Sequence, residues 1–219
     1  MTARAAIVFD LDGTLVDSVP DLHVAANAML AEAGLAPLDL ATVTSFVGHG
    51  IPNLVRRVMA ARGIAPDREA AMQSVMLRHY LAHPADLTRP YPAVPQVLQD
   101  LREQGFALGV CTNKLREPAM AILDALDLTR HFGVVIGGDS TPQRKPDPAP
   151  LFAAYAALGG APLLYVGDSE VDAETAQAAG IAFALFTRGY RTTPVDQLPH
   201  RISFDDFAML PGHVAALSG

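Results

Sequence analysis

The sequence predicts a doubly wound α/β fold: a parallel sheet with helices on both faces and a helical insert near its start. Three observations carry that expectation. Five short runs are apolar throughout, as strands buried on both faces are: AAIVF (5–9), FALGVC (106–111), GVVIG (133–137), LLYVG (163–167) and AFALF (182–186). Helical stretches separate most of them, the alternation expected of a covered parallel sheet. The rhythm breaks once: almost a hundred residues part the first run from the second, and much of that interval has helical spacing.

The first strand leads into IVFDLDGTLVDS (7–18), which places Asp10 and Asp12 two residues apart at a strand end. Like charges this close repel, and each raises the other's pKa, so the pair asks for a compensating role. Within the long interval, Leu22, Ala25, Ala26, Met29, Leu30 and Ala33 keep i, i+3, i+4 spacing up to Gly34, a helix stop. Pro52 suits the first turn of a second helix, with Leu54, Val55, Val58 and Met59 on one face and Gly63 as its end. Asp67 is placed to cap a third, which runs through His83 before Pro84. These helices define an expected inserted cap domain, residues 19–86, in a Rossmann-like core made of residues 1–18 and 87–219.

Bulk properties bound the function. The 219 residues suffice for one sizeable core and a smaller insert. Net charge is −7, yet residues 18–85 are neutral, with five acids against five arginines, so the acidic excess lies in the core. That argues against nucleic acid as the main partner. No apolar run approaches the roughly 20 residues that span a bilayer. MTARAAIVF is too short for a signal segment, and a single cysteine, Cys111, permits no internal disulfide. The expectation is a cytoplasmic monomer or homodimer with no membrane or nucleic-acid partner.

In open parallel sheets, ligands bind beyond the carboxyl ends of the strands. The first strand ends in Asp10, Asp12 and Thr14; the second in Thr112, Asn113 and Lys114; a loop after the third, GGDSTPQRKPDP, carries Lys145; the fourth ends in Asp168 and Ser169, with Asp172 one helical turn on. Several carboxylates in one place need a cation, and oxygen ligands without a Cys/His cluster favour Mg²⁺. One carboxylate can attack phosphorus to give an aspartyl-phosphate. A second can protonate the leaving oxygen and then activate water. The Thr112 hydroxyl and Lys145 are suited to holding the phosphoryl oxygens. Only two of sixteen basic residues are lysines, Lys114 and Lys145, and both fall in these loops.

Four motifs, DLDGT (10–14), VCTN (110–113), RKPDP (144–148) and GDSEVD (167–172), resemble those of the haloacid dehalogenase-like phosphohydrolases, in order and across the core. The resemblance implies Asp10 as nucleophile, Asp12 as general acid/base, and Thr112 and Lys145 on the phosphoryl group. It implies Mg²⁺ held by Asp10, the Asp12 main-chain carbonyl and Asp168, with Asp172 behind them or fixing Lys145. True dehalogenases of this group lack the second aspartate. Relatives that cleave carbon–phosphorus bonds use a cap lysine, as do β-phosphoglucomutase-like ones, and residues 18–85 contain none. TSFVGHGIPNLVRRVM (44–59) and YPAVPQVLQDLREQG (91–105) resemble the phosphoglycolate phosphatase group, which implies 2-phosphoglycolate as substrate.

Around that substrate, Gly48 and Gly50 allow close backbone approach, Asn113 lies beside the phosphoryl site, and His49 or Arg56 is expected to meet the carboxylate. Arg56 and Arg57 are adjacent on a helix, so at most one faces the site. Lys114 is expected as ordinary surface charge and Cys111 as a small buried hydrophobe. Two alternatives stand beside this reading: a phosphatase for sugar phosphates or pyrophosphate, and a response-regulator-like module that accepts phosphate on aspartate as a signal.

Overall fold

A computed structural model describes residues 5–218. Residues 1–4, part of the expected core segment 1–18, and Gly219 lie outside the described residues. The five expected strands are present as β1 (Ala5–Phe9), β4 (Ala107–Cys111), β5 (Val134–Ile136), β6 (Ala161–Gly167) and β7 (Phe183–Phe186). A sixth, β8 (Ile202–Phe204), adds to the edge, and the sheet runs β5-β4-β1-β6-β7-β8 with every pairing parallel. The chain winds outward from β1 through β4 to β5, then returns to the other side of β1 for β6 to β8. The order therefore reverses between β1 and β6, and a crevice opens at such a switch point beyond the strand ends.

The strands are apolar throughout because both faces are covered. Ile7 and Phe9 of β1 point into one cluster, shared with α5 (Val94–Glu103), α6 (Arg116–Ala125) and α9 (Leu210–Ser218). Ala6 and Val8 point into the other, against α7 (Ala149–Leu158) and α8 (Glu170–Ala179). Fully burying one such side chain stabilises the fold by about 1.5–3 kcal/mol. Parallel register then aligns the strand ends: Phe9 is level with Val110 on one side and Val166 on the other.

The insert holds four α-helices: α1 (Val19–Glu32), α2 (Leu40–Thr44), α3 (Gly50–Ala61) and α4 (Glu69–Ala82). They sit between the two strands of a short antiparallel ribbon, β2 (Val16–Asp17) and β3 (Arg89–Pro90). Two-residue strands have no periodicity to read, which is why the sequence did not suggest them. The buried Asp21 carboxylate ties the two ends of the insert together. It accepts from Leu87 N (3.0 Å), Thr88 N (2.7 Å) and Thr88 Oγ1 (2.6 Å).

The helix limits need two corrections. Asp67 does not cap the last insert helix. It lies in a 3-10 turn, Pro66–Arg68, and Arg68 takes the cap position without a side-chain bond. The aspartate that does cap is Asp39, which accepts from Thr42 N at 2.7 Å at the head of the unforeseen α2. Among the described residues no helix is long and apolar enough to cross a membrane.

Candidate active site

The motifs converge at the carboxyl edge of the sheet. Asp10 follows β1 and donates its backbone N–H to Val166 O of β6 (2.8 Å). Thr112 follows β4, and its N–H donates to Ile136 O of β5 (3.0 Å). Asp168 follows β6, and Ser169 caps α8: its side chain accepts from Asp172 N while the Asp172 carboxylate accepts from Ser169 N, a reciprocal capping box. Asp10, Asp168 and Asp172 each offer an oxygen within 4.8 Å of the others, all buried.

Burial and mutual repulsion shape this trio. Burial, then the charge of Asp172, raises Asp10 to about 7, although Lys145 pulls it the other way. Asp168 is raised by the same two causes, burial first. Asp172 goes the opposite way. Burial pushes it up, but Lys145 and hydrogen bonds from Lys145, Ser169 and Tyr165 bring it below the ordinary carboxylate value. Lys145 Nζ donates to Asp172 Oδ1 (2.7 Å) and to Tyr165 Oη (2.8 Å). It also lies 3.0 Å from Asp10 Oδ1, too obliquely for a hydrogen bond, so that buried oxygen has no hydrogen-bond partner among the described residues. The attraction of Asp10 and Asp172 outweighs burial and holds Lys145 protonated, its pKa above the ordinary lysine value.

Asp168 sits in a tight cradle. Thr14 Oγ1 donates to its Oδ1 (2.7 Å) and Tyr190 N–H to its Oδ2 (2.7 Å). Gly13 has φ +84°, and a Cβ there would overlap the Asp168 carboxylate. Only glycine both adopts that conformation readily and leaves the space.

Asp12 is held by two side chains. Ser18 Oγ donates to its Oδ1. Lys114 Nζ donates to both carboxylate oxygens (2.9 and 3.0 Å) while standing 4.7 Å from the ring centroid of Tyr80, which belongs to the insert. Lys114 is therefore not surface charge: its side chain is only 2% exposed. Its long stem lets the ammonium turn inward to the nearest uncompensated carboxylate.

The residues expected to contact substrate divide. Asn113 Nδ2 donates to Lys145 O (3.0 Å), while its buried Oδ1 has no hydrogen-bond partner among the described residues. Gly48, Gly50 and Asn113 line a cavity of about 30 Å³ beside Asp10 and Asp12. Gly50, at φ +78°, brings the insert against the core, since a Cβ there would stand 2.8 Å from Asn113 O. His49 is exposed and lines a neighbouring cavity of about 70 Å³ that also reaches Asp10, Asp12 and Asp168. Arg56 does not join them. Its side chain is 57% exposed and pairs with Glu69 at 3.4 Å, because its place on α3 points it along the insert's outer surface. Its neighbour Arg57 lines the larger cavity instead. Cys111 is a buried thiol, pushed up to about 12 by burial.

Sequence reasoning also passed over Tyr190. Its backbone N–H holds Asp168, its Oη accepts from Ser18 N (2.8 Å) and Val19 N (3.2 Å), and it donates to Asp17 Oδ1 (2.7 Å). It follows β7, the one expected strand whose carboxyl-end residues the sequence reading left aside; the same strand-end rule would have found it.

The arrangement offers two carboxylates at one strand end, two buried ammonium groups and a carboxylate cluster suited to a hard cation. Comparison with known proteins points to the same chemistry. The family of haloacid dehalogenase-like hydrolases matches residues 7–186. The phosphoglycolate phosphatase of Cereibacter sphaeroides is 54% identical over 207 residues, covering 94% of this chain and 95% of that protein. The phosphoglycolate phosphatase of Rhodobacter capsulatus is 45% identical over 211 residues, covering 95% and 96%. A crystal structure of a predicted phosphoglycolate phosphatase from Haemophilus somnus superposes with a TM-score of 0.90 at 33% identity, covering 97% of this chain and 99% of that one. With its strand-end aspartates, its sheet order and these relatives in agreement, the chain belongs to the haloacid dehalogenase-like hydrolases.

Proposed function

We propose that this protein hydrolyses 2-phosphoglycolate to glycolate and phosphate through an aspartyl-phosphate on Asp10. The observation that carries the reading is the placement of Asp10 and Asp12 at one strand end, each with its own buried lysine. Relatives at 45–54% identity that bear the name phosphoglycolate phosphatase support the substrate.

In the first step an Asp10 carboxylate oxygen attacks phosphorus, and the bond from phosphorus to the ester oxygen breaks. Asp12 gives its proton to that oxygen, and glycolate departs. In the second step Asp12 takes a proton from water, the water oxygen attacks phosphorus, and the bond to Asp10 breaks to release phosphate. Lys114 and Ser18 hold Asp12 in position for both transfers. Lys145 and the Thr112 hydroxyl bind the phosphoryl oxygens, and Asp172 with Tyr165 fixes the Lys145 ammonium. The four insert helices, within residues 19–86, act as a cap that keeps bulk water from the acyl phosphate.

Three buried carboxylates, two with raised pKa and one with an orphaned oxygen, fit a divalent cation. Asp10, the Asp12 main-chain carbonyl and Asp168 are the ligands we assign. When bound, Mg²⁺ supplies positive charge to the phosphoryl oxygens and makes the closeness of the carboxylates tolerable. A cytoplasmic location and a monomeric or homodimeric state complete the reading.

A pH dependence follows. Metal-free, Asp10 binds its proton more tightly when folded (about 7) than when unfolded (3.8). The folded protein then holds more protons between those values, so its stability falls as pH rises through that window. A cation binds the ionised carboxylate and removes this loss. The rise in melting temperature on adding millimolar Mg²⁺ should therefore be larger at about pH 8 than at about pH 5. An equal rise at both values would remove Asp10 from the ligand set.

The function itself is tested by phosphate release with Mg²⁺ from 2-phosphoglycolate, glucose phosphates, pyrophosphate and phosphoserine. A kcat/KM for 2-phosphoglycolate well above the others is expected. Preference for another member would keep the aspartate chemistry and discard the substrate. No turnover of any would favour a phospho-accepting module.

A further inference from the structure

2-Phosphoglycolate has two anionic ends, and the buried lysines account for one. A carboxylate shut away from water needs a cation or a full set of donors. Lys145 is already enclosed by Asp10, Asp172 and Tyr165, and Lys114 by both oxygens of Asp12 and the Tyr80 ring. Both lie on the phosphoryl side and are neutralised by carboxylates.

The insert presents one arginine to the cavities beside Asp10, Arg57 of α3. Its Nη1 donates to Ser45 O at 2.8 Å, and its guanidinium carbon lies 5.9 Å from the Phe46 ring centroid. A carbonyl and an aromatic ring orient the guanidinium plane without cancelling its charge. Among the described residues Arg57 has no carboxylate partner, unlike Arg56, which pairs with Glu69. Glu170, an acid that lines the same cavity, is already engaged: it accepts from Thr192 N (2.8 Å) and Thr192 Oγ1 (3.0 Å). Of a guanidinium's five N–H donors, one is used here, and the rest form the planar fork that matches a carboxylate. His49 shares the cavity, but an imidazole offers no such fork and is charged only when protonated.

We propose that Arg57 is the specificity-determining residue that receives the substrate carboxylate, an assignment that rests on the 2-phosphoglycolate reading. The phosphoryl end is then fixed by the core and the carboxylate end by the insert, so a substrate with both groups bridges the two. A phosphate ester without a carboxylate binds the core alone.

The test compares the unchanged protein, Arg57→Gln and Arg57→Lys on 2-phosphoglycolate and on ethyl phosphate, the same two-carbon ester without its carboxylate. The unchanged protein should favour 2-phosphoglycolate in kcat/KM. Arg57→Gln should lose about 10–100-fold on 2-phosphoglycolate, mainly in KM, and roughly tenfold less than that on ethyl phosphate. Arg57→Lys keeps the charge without the fork and should fall between; it also serves if the glutamine variant fails to fold. Equal losses on the two esters, or none, would overturn the assignment and leave the substrate reading standing. No preference for the carboxylated ester in the unchanged protein would overturn the substrate reading, and the role of Arg57 with it.

Discussion

Asp10→Asn is expected to abolish turnover, by roughly four to six orders of magnitude, while leaving a folded protein that melts at or above the temperature of the unchanged one. The activity loss follows from the proposed chemistry: an amide oxygen at this position cannot form the acyl phosphate. The stability gain follows from charge. Burial and the repulsion of Asp172 make ionised Asp10 costly in the folded state, and a neutral amide of the same shape removes both terms. Lys145 keeps its shorter bond to Asp172 (2.7 Å). Steady-state kinetics and a thermal melt at about pH 8 check both halves. Retained turnover would remove Asp10 as nucleophile. A strongly lowered melting temperature would mean that the Lys145–Asp10 contact at 3.0 Å stabilises more than the repulsion costs.

What the sequence made legible was whatever repeats or sits at a fixed offset. The five apolar runs became strands because burial on both faces leaves no polar position to interrupt them. Asp10, Thr112 and Asp168 were legible because a parallel sheet delivers its strand ends to one edge. Tertiary choice among neighbouring residues was not legible. Arg56 and Arg57 are the same residue type one position apart, and only the docking of α3 decides which lines the cavity beside Asp10. Lys114 could equally have pointed to solvent; the Asp12 carboxylate and the Tyr80 ring, 102 and 34 positions away in the chain, turn it inward. The β2–β3 ribbon and the Asp21 clasp on Thr88 likewise depend on two segments meeting across the whole insert. Local pattern cannot encode them.

Lys145→Met is expected to damage both stability and activity, and a second substitution separates the two. The Lys145 side chain is 2% exposed, and its ammonium is the cation shared by Asp10 and the fully buried Asp172. Removing it leaves buried carboxylates facing each other. Breaking such a pair typically costs about 3–5 kcal/mol, and at about 2–4 °C per kcal/mol for a chain of this size the melting temperature should fall by roughly 10 °C. Turnover should fall by about 100–1000-fold, because the donor proposed for the phosphoryl oxygens is lost. Adding Asp172→Asn to Lys145→Met removes the uncompensated charge, so most of the stability should return. Activity should not, if Lys145 acts on the phosphoryl group itself. Recovery of both would instead mean that Lys145 serves only to neutralise Asp172, and that the phosphoryl charge is met by Thr112, backbone N–H groups and the cation. A single variant that melts like the unchanged protein would contradict the burial of the pair, since a carboxylate with 0% side-chain exposure has no water to replace the lost ammonium.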